Sequence, residues 1–250
     1  MISASATHPG LVRKNNEDCI RADNDFGIYL LADGIGGHNA GEVASALAVE
    51  TVYAVLRSNI NHTLVDGYFE LMVHAMHSAH WEINSRARSS VSFKSMGTTL
   101  VVAVIRNDKA YIVNAGDSRC YLFHHPRSGF SHENRENIFR RLTHDHTVGD
   151  QLLASGISIG QIPKKQFHTL TQSVGCGNPP YPDFKIVEFK QGDMLLICSD
   201  GLTDMLSDAE IEAMLSQGDV SLDALAHGLI GAANANGGRD NISVILVASP

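Results

Sequence analysis

Short apolar runs and longer segments with helical periodicity alternate along this chain. Continuous apolar runs bounded by polar or turn-forming residues predict buried β-strands. These runs are residues 26–32, 98–105, 109–114, 119–123, 193–198 and 242–248. The connections between the second, third and fourth runs are too short for a helical crossover. We therefore expect these three strands to pair antiparallel.

Other segments carry apolar residues at the spacing of an amphipathic helix. They are residues 40–58, 64–88, 207–217 and 221–235. The third segment begins with Ser207, and Glu210 follows at the position that completes a capping box. The fourth begins at Ser221 and ends before the pair Gly237-Gly238, which is typical of a helix terminus.

The segment 64–88 has one apolar stripe and a separate row of histidines. The stripe residues recur at intervals of three and four, which predicts a single buried face. They are Phe69, Met72, Met76, Ala79 and Ile83. His74, His77 and His80 avoid this stripe. This position favours a solvated helix face over a row of metal ligands.

Two stretches interrupt this pattern. Residues 124–139 lack any regular pattern, and glycines and prolines punctuate residues 156–183. Long irregular segments inside a compact chain are typically lids or binding loops. We therefore expect one α+β domain over residues 1–250, with antiparallel sheets, helices packed outside them and one flap.

Composition narrows the class of protein. The 250 residues are 44% hydrophobic and 18% charged, which suits a chain with a sizeable core. The formal net charge of −8 argues against a nucleic-acid partner. No apolar run approaches the ~20 residues of a membrane span, and the first residues lack a signal-peptide pattern. We expect a cytoplasmic protein and, without coiled-coil heptads, a monomer.

The cysteines add no metal or disulfide signature. Cys19, Cys120, Cys176 and Cys198 show no CxxC spacing. Cys120 and Cys198 lie in apolar runs and are expected to be small buried side chains.

Carboxylates at strand ends carry the candidate chemistry. Asp33-Gly34 and Asp200-Gly201 each follow an apolar run, and Asp240 directly precedes the last one. An Asp-Gly pair alone is more often a turn, but the joint occurrence favours one shared site. If the strand ends converge, the site is lined by oxygen and suits Mg²⁺ or Mn²⁺.

Two such cations close together would activate a water for attack on phosphorus. Arg13 is the candidate phosphate ligand because its planar fork matches phosphate oxygens. A solvated surface charge is the alternative for Arg13. His38 lies near the proposed site or caps the helix that begins near residue 40.

The run His144-Asp145-His146 also has two interpretations. It is either part of a catalytic site or a helix start in which Asp145 is the N-cap.

Seven motifs in one order resemble the metal-dependent serine/threonine protein phosphatases of the PPM type (type 2C), in their bacterial form. The motifs lie at residues 10–18, 32–45, 95–99, 114–119, 142–146, 195–202 and 238–243. They extend over nearly the whole chain. The resemblance implies a four-layer α-β-β-α sandwich, in which two antiparallel sheets are flanked by helix pairs, with a flap at about 147–183.

The resemblance also implies a set of site residues. Asp33 would bridge two Mn²⁺ or Mg²⁺ ions, with the Gly34 carbonyl on one of them. Asp200 and Asp240 would complete the first metal, and Glu17 and Asp18 would hold waters on the second. Asp117, with Asp200, would bind a weaker third ion, and Arg13 would bind the substrate phosphate.

One position departs from the eukaryotic pattern, which has a histidine directly after Asp-Gly as the proposed general acid. Ile35 stands there in this chain, so the leaving-group proton is expected to come from elsewhere, near Asp117. The predicted flap has no clear match to the family pattern.

The resemblance therefore implies a hydrolase that removes phosphate from phosphoserine and phosphothreonine in proteins by attack of a metal-bridging water. We expect it to oppose a bacterial serine/threonine kinase. The alternatives are a catalytically weak relative that acts as a regulatory binding module, and a metal-dependent phosphohydrolase with a small-molecule substrate.

Overall fold

Two antiparallel β-sheets pack face to face at the centre of the molecule. The computed structural model describes residues 1–36, 40–124, 138–217 and 220–249. One sheet has the order β1-β11-β10-β7-β8 and the other the order β2-β3-β5-β6-β9, with β4 paired to β3. The strands of the two sheets are β1 Ile2–His8, β2 Asp18–Asp23, β3 Ile28–Ile35, β4 Gly97–Thr98, β5 Leu100–Arg106, β6 Lys109–Ala115, β7 Arg119–His124, β8 Ile138–Arg141, β9 Asp183–Glu188, β10 Asp193–Cys198 and β11 Ile242–Ala248.

Helices cover the outer face of each sheet. The covering helices are α1 Ala40–Asn59, α2 Tyr68–Ser89, α4 Asp200–Thr203, α5 Asp208–Leu215 and α6 Leu222–Ala235, and the short helix α3 Val148–Ala154 precedes a 3₁₀ turn at Lys164–His168. Helices α1 and α2 share one apolar core with the sheet that contains β2, and helices α4 to α6 share another with the sheet that contains β1. A third core lies between the sheets. The predicted four-layer α-β-β-α sandwich is confirmed.

The main helices follow the predicted periodicity. In α2, Met72, Met76, Ala79 and Ile83 are fully buried, as the stripe predicts. The helix begins at Tyr68, later than expected, because a short 3₁₀ turn at Val65–Gly67 precedes it. The capping box of α5 is present: Ser207 Oγ accepts from Glu210 N, and Ser207 N donates to the Glu210 carboxylate. Ser221 caps α6 as predicted.

The predicted pairing of residues 98–105, 109–114 and 119–123 is partly wrong. Strands β5 and β6 form the expected antiparallel hairpin, but β6 and β7 lie in different sheets. The chain changes sheets at Gly116, whose φ of +109° suits glycine. A Cβ there would crowd the Thr99 side chain, which lies between β4 and β5. A short connection therefore does not establish pairing.

Two histidine predictions on α2 are also wrong. His80 is fully buried and accepts a hydrogen bond from Gly175 N at 3.0 Å. The His77 ring is 3.0 Å from the Pro180 carbonyl oxygen, and only His74 is exposed. These side chains fasten the C-terminal end of the predicted flap to the helix through contacts between residues about 100 positions apart, which periodicity does not reveal.

The other predictions concern the cysteines, membrane-spanning segments and the unpatterned stretch. Cys120 and Cys198 are buried and free, as expected. No helix among the described residues is both long and apolar enough to span a membrane. The unpatterned residues 125–137 and the candidate His38 lie outside the described residues.

Candidate metal centre

A cleft of about 490 Å³ opens at one end of the two sheets. It is lined by Arg13, Glu17, Asp33, Gly34, Ile35, Gly36, Thr99, Asp117, His168, Leu170, Asp200, Asp204, Arg239, Asp240 and Asn241. All the site residues predicted from the sequence except Asp18 line it. Carboxylates from both sheets therefore meet at one place.

Asp18 lies directly behind the cleft lining. It is the first residue of β2 and stands opposite Asp33 of β3 in the antiparallel register. Ser199 Oγ donates to its Oδ2 at 2.8 Å, whereas its Oδ1 is enclosed without a hydrogen-bond partner. An enclosed carboxylate oxygen without a partner is costly unless a cation or a proton occupies the position beside it.

The main chain of Asp33 is held on both sides. Its N donates to Thr99 Oγ1 at 3.0 Å, and its carbonyl oxygen accepts from Thr99 N and from Thr98 Oγ1, each at 2.8 Å. The backbone is satisfied by these three bonds, so the carboxylate remains available to the cleft.

Gly34 is required by close backbone packing. Its N donates to the Glu17 carbonyl oxygen at 3.1 Å. A Cβ at this position would overlap the Gly41 carbonyl oxygen at the start of α1. The absence of a side chain thus lets the strand end, the Glu17 loop and the first turn of α1 approach each other.

Asp240 and Asn241 hold the far side of the cleft. Asn241 Oδ1 accepts from Glu17 N at 2.8 Å, and its Nδ2 donates to the carbonyl oxygens of Asn15 and Pro9. This amide therefore ties the N-terminal loop to the start of β11. No local sequence pattern indicates this role of Asn241, because its partners lie more than 220 residues away along the chain.

Arg13 contacts a carboxylate of this group. Its Nη2 lies 2.6 Å from Asp240 Oδ2. The Arg13 side chain remains 55% exposed, so a ligand in the cleft can still reach the guanidinium.

The carboxylates destabilise one another's charged forms. Burial, followed by repulsion from Asp18, Asp200 and Asp117, raises the pKa of Asp33 well above its usual range. Burial and repulsion from Asp117 and Asp204 do the same to the pKa of Asp200.

Burial is also the largest cause that raises the pKa of Asp18 to about 6 and that of Asp117 to about 6. Bound cations would reverse these shifts, because an adjacent positive charge favours the ionised form. The Oδ1 atoms of Asp18 and Asp200 are both enclosed and unpartnered. The donor set therefore fits hard divalent cations.

Asp117 is placed by a turn that His146 holds. His146 N donates to the Gly116 carbonyl oxygen at 3.0 Å, and His146 Nδ1 accepts from Gly116 N at 3.2 Å. Asp145 does not cap α3; it accepts a bidentate contact from Arg119, and Thr147 is the N-cap. The run His144-Asp145-His146 thus supports the site from behind.

Besides Asn241, the local sequence patterns did not indicate His168 and Asp204, which also line the cleft. His168, in the flap, has its Nδ1 3.6 Å from Asp204 Oδ2. Asp204 lies one helical turn after Asp200, a spacing that could have indicated it. His168 offers no such signal, since it is a single histidine in an unpatterned segment.

Comparison with known proteins agrees with this fold and site. The family model described as "Protein phosphatase 2C" matches residues 12–229. The serine/threonine phosphatase stp of Listeria innocua is 34% identical over 248 residues, which is 96% of this chain and 93% of that protein. Protein phosphatase PhpP of Streptococcus pneumoniae is 33% identical over 249 residues, 97% of this chain and 95% of that one.

Solved structures show the same likeness. The serine/threonine phosphatase of S. agalactiae superposes with a TM-score of 0.84 at 32% identity, over 100% of this chain and 99% of that chain. The catalytic domain of the phosphatase PstP in complex with two manganese ions superposes with a TM-score of 0.80 at 30% identity, over 98% and 96% of the chains.

A four-layer sandwich with a carboxylate-lined cleft at one end of its sheets defines a metal-dependent phosphatase class. The chain belongs to the protein phosphatase 2C family, in its bacterial PPM form. Its activity is that of a metal-dependent serine/threonine protein phosphatase.

Proposed function

We propose that the cleft binds two divalent cations, Mn²⁺ or Mg²⁺, through the carboxylates that meet there, and a weaker third. The observation that supports this most directly is the pair of enclosed, unpartnered oxygens of Asp18 and Asp200 within a group of carboxylates with raised pKa values. Buried carboxylates this close together repel each other, so the group destabilises the protein unless bound cations neutralise its charge.

The proposed ligands divide by position. Asp33, at the end of the central strand, and the Gly34 carbonyl oxygen would hold the cations, and both residues line the cleft. Asp200 and Asp240 would hold the first cation, and Glu17 and Asp18 would hold the second. Asp117, with Asp200, would hold the third.

The cations would supply an activated water and neutralise phosphate charge. The chain's own residues bind and orient the substrate. Arg13 binds the phosphate as a planar, permanently charged donor, and its contact with Asp240 keeps its guanidinium at the cleft mouth. Ile35 lines the cleft but has no proton to give. We therefore assign the source of the leaving-group proton to the Asp117 side.

The wider biological role is also a proposal. The substrates are phosphorylated proteins, and a cognate serine/threonine kinase would supply them. We propose that residues 1–250 act as one domain, monomeric and cytoplasmic, with residues 147–183 as its flap. No described feature favours a binding module without turnover, since all the predicted carboxylates are present and grouped.

The test combines activity with metal binding. Hydrolysis of a phosphothreonine peptide should require Mn²⁺ or Mg²⁺ and cease in excess chelator. Asp33→Ala should lower kcat by several orders of magnitude and lower the number of Mn²⁺ ions bound at equilibrium dialysis. Undiminished turnover in chelator, or near-normal turnover by a folded Asp33→Ala protein, would refute the assignment.

A further inference from the structure

A second cavity, which we call the edge cavity, lies away from the metal centre and has a volume of about 470 Å³. It is lined by residues of β8 and β9, the edge strands of the two sheets, and of β7 and β10. Strand β10 begins at this cavity with Asp193 and ends at Cys198, two residues before Asp200 of the cleft. The length of that strand separates the two sites by about 17 Å.

Arg140 of β8 faces the space between the two sheets. It stands opposite Leu122 in the antiparallel register of β7 and β8, so the two side chains lie on the same face of the sheet. Leu122 belongs to the core between the sheets, which makes this the inner face. Inner faces of packed sheets are normally apolar, so a charged residue there is unusual.

Strand β9 places a second cation on the same side. Lys185 and Val187 are two positions apart on this strand and therefore lie on one face. Val187 belongs to the core between the sheets. Two cations, Arg140 and Lys185, thus come from the edge strands of different sheets and line one cavity.

The acidic groups of the edge cavity already have partners. Asp193 Oδ1 is 2.6 Å from His124 Nδ1, and Asp193 Oδ2 accepts from Lys190 N at 2.7 Å. The Glu188 carboxylate lies 2.7 Å from Lys190 Nζ. These carboxylates are therefore engaged with neighbouring groups and do not compensate the two cations on the inner faces.

Arg140 and Lys185 form no ion pair with any residue that the structure describes. An inward-pointing charge can protect an edge strand from pairing with another chain. That role does not require both edges to carry the same sign beside one cavity, in a chain whose net charge is −8. An anion between the two side chains would remove their repulsion and form charge-assisted hydrogen bonds with both.

The size and lining of the edge cavity favour a small organic phosphate over a bare ion. Its volume falls in the range of about 300–1,000 Å³ that is typical of small-molecule sites. Leu122 and Val187 are 8% and 7% exposed and provide an apolar floor. The planar guanidinium of Arg140 matches the oxygens of a phosphate, and Lys185 adds a point charge.

We propose that the edge cavity binds a small organic phosphate, with its phosphate between Arg140 and Lys185 and its organic part against Leu122 and Val187. This site is separate from the metal centre and needs no cation in the cleft. Binding would connect the edge strand of one sheet to that of the other and stabilise the folded state.

Nuclear magnetic resonance of ¹⁵N-labelled protein tests the proposal, with AMP, ADP and glucose 6-phosphate as probes. Metal and chelator are both removed beforehand, so that no cation holds phosphate in the cleft and no other anion competes. We expect at least one probe to cause saturable shifts of the amides of residues 138–141 and 185–187. Inorganic phosphate should bind at least about tenfold more weakly, because it lacks the organic part that covers the apolar floor.

Substitutions at the two cations test their role. Arg140→Gln and Lys185→Gln should each weaken the tightest probe at least about tenfold, because each removes a charged donor to the phosphate. Arg141→Gln is the matched control, since Arg141 neighbours Arg140 on β8 but stands opposite Tyr121 on the other face. Lys94→Gln removes an exposed lysine elsewhere. Both controls should bind the probe as the wild-type protein does.

The outcomes are independent of the proposed function. Absence of saturable shifts at these amides with every probe, or unchanged affinity in Arg140→Gln or Lys185→Gln, overturns the inference. Inorganic phosphate that binds as tightly as the organic probes also overturns it, because the cavity would then take the ion alone. Hydrolysis of a phosphothreonine peptide by Arg140→Gln should equal that of the wild-type protein, since the edge cavity takes no part in catalysis.

Discussion

At the scale of single residues, the cleft is built from side chains that are individually unfavourable. Asp33 and Asp200 repel each other, and Asp18 lacks a partner for one oxygen. Local patterns identified most of them, because a carboxylate at the end of an apolar strand is visible in the sequence. Asn241 and His168 were missed because their roles depend on partners distant in the chain.

Arg13→Ala should raise KM for a phosphopeptide about tenfold or more and lower kcat less. The reason is that Arg13 binds phosphate in the ground state, and a hydrogen bond to a charged group contributes about 1.5–3 kcal/mol. Steady-state kinetics measure the split. Arg88→Ala, an exposed arginine on α2, is the control and should change neither constant. An unchanged KM in Arg13→Ala would exclude phosphate binding by Arg13.

Gly34→Ala should destabilise the protein by about 1–3 kcal/mol and lower its activity, because the new Cβ overlaps the Gly41 carbonyl oxygen. Urea denaturation measures the loss. Gly160→Ala is the matched control, since a Cβ there meets nothing within 4 Å. Equal stability of the two variants would contradict the close packing at Gly34.

At the scale of elements, periodicity predicted α1, α2, α5 and α6 well because each has an apolar stripe facing a sheet. It failed at the junction of β6 and β7, where Gly116 turns the chain from one sheet to the other. It also failed for His80, whose partner Gly175 lies in the flap. Sequence spacing describes one element and carries no information about which distant segment covers it.

His80→Leu should destabilise the protein by about 1–3 kcal/mol, because the buried Gly175 N would lose its acceptor. Hydrogen exchange should rise at Gly175 and Val174, the flap end that pairs with Thr98. His74→Leu is the control, since His74 lies on the exposed face of the same helix. Unchanged exchange at Gly175 in His80→Leu would show that this bond does not fasten the flap.

At the scale of the whole molecule, the metal-free protein concentrates negative charge where its two sheets end. Its net charge of −8 adds to this repulsion. Folding therefore competes with electrostatics until cations or protons neutralise the cleft.

The metal-free protein should lose part of its stability as pH rises from about 4 to above 6. Burial raises the pKa of Asp18 and of Asp117 to about 6 in the folded state, above the value of 3.8 for an unperturbed carboxyl. Protonation of these carboxyls thus favours the folded state. This stabilisation is complete at pH values below the pKa of the unfolded state and is lost as the pH rises through the pKa of the folded state.

Urea denaturation in chelator at several pH values measures this slope. Asp18→Asn should flatten it, because the amide does not titrate, and Asp25→Asn, on an exposed turn, should leave it unchanged. The same slope in wild type and Asp18→Asn would show that Asp18 is not responsible. Saturating Mn²⁺ should raise the stability at neutral pH, since a ligand that binds only the folded state stabilises it.

The sequence by itself determined the residue types at the strand ends, the main helices and the family, because these depend on local order along the chain. Only the tertiary structure decided that β6 and β7 join different sheets, that His80 is buried and that His168 reaches Asp204. These features arise from contacts between segments far apart in sequence. Their energy depends on three-dimensional packing, which no local pattern records.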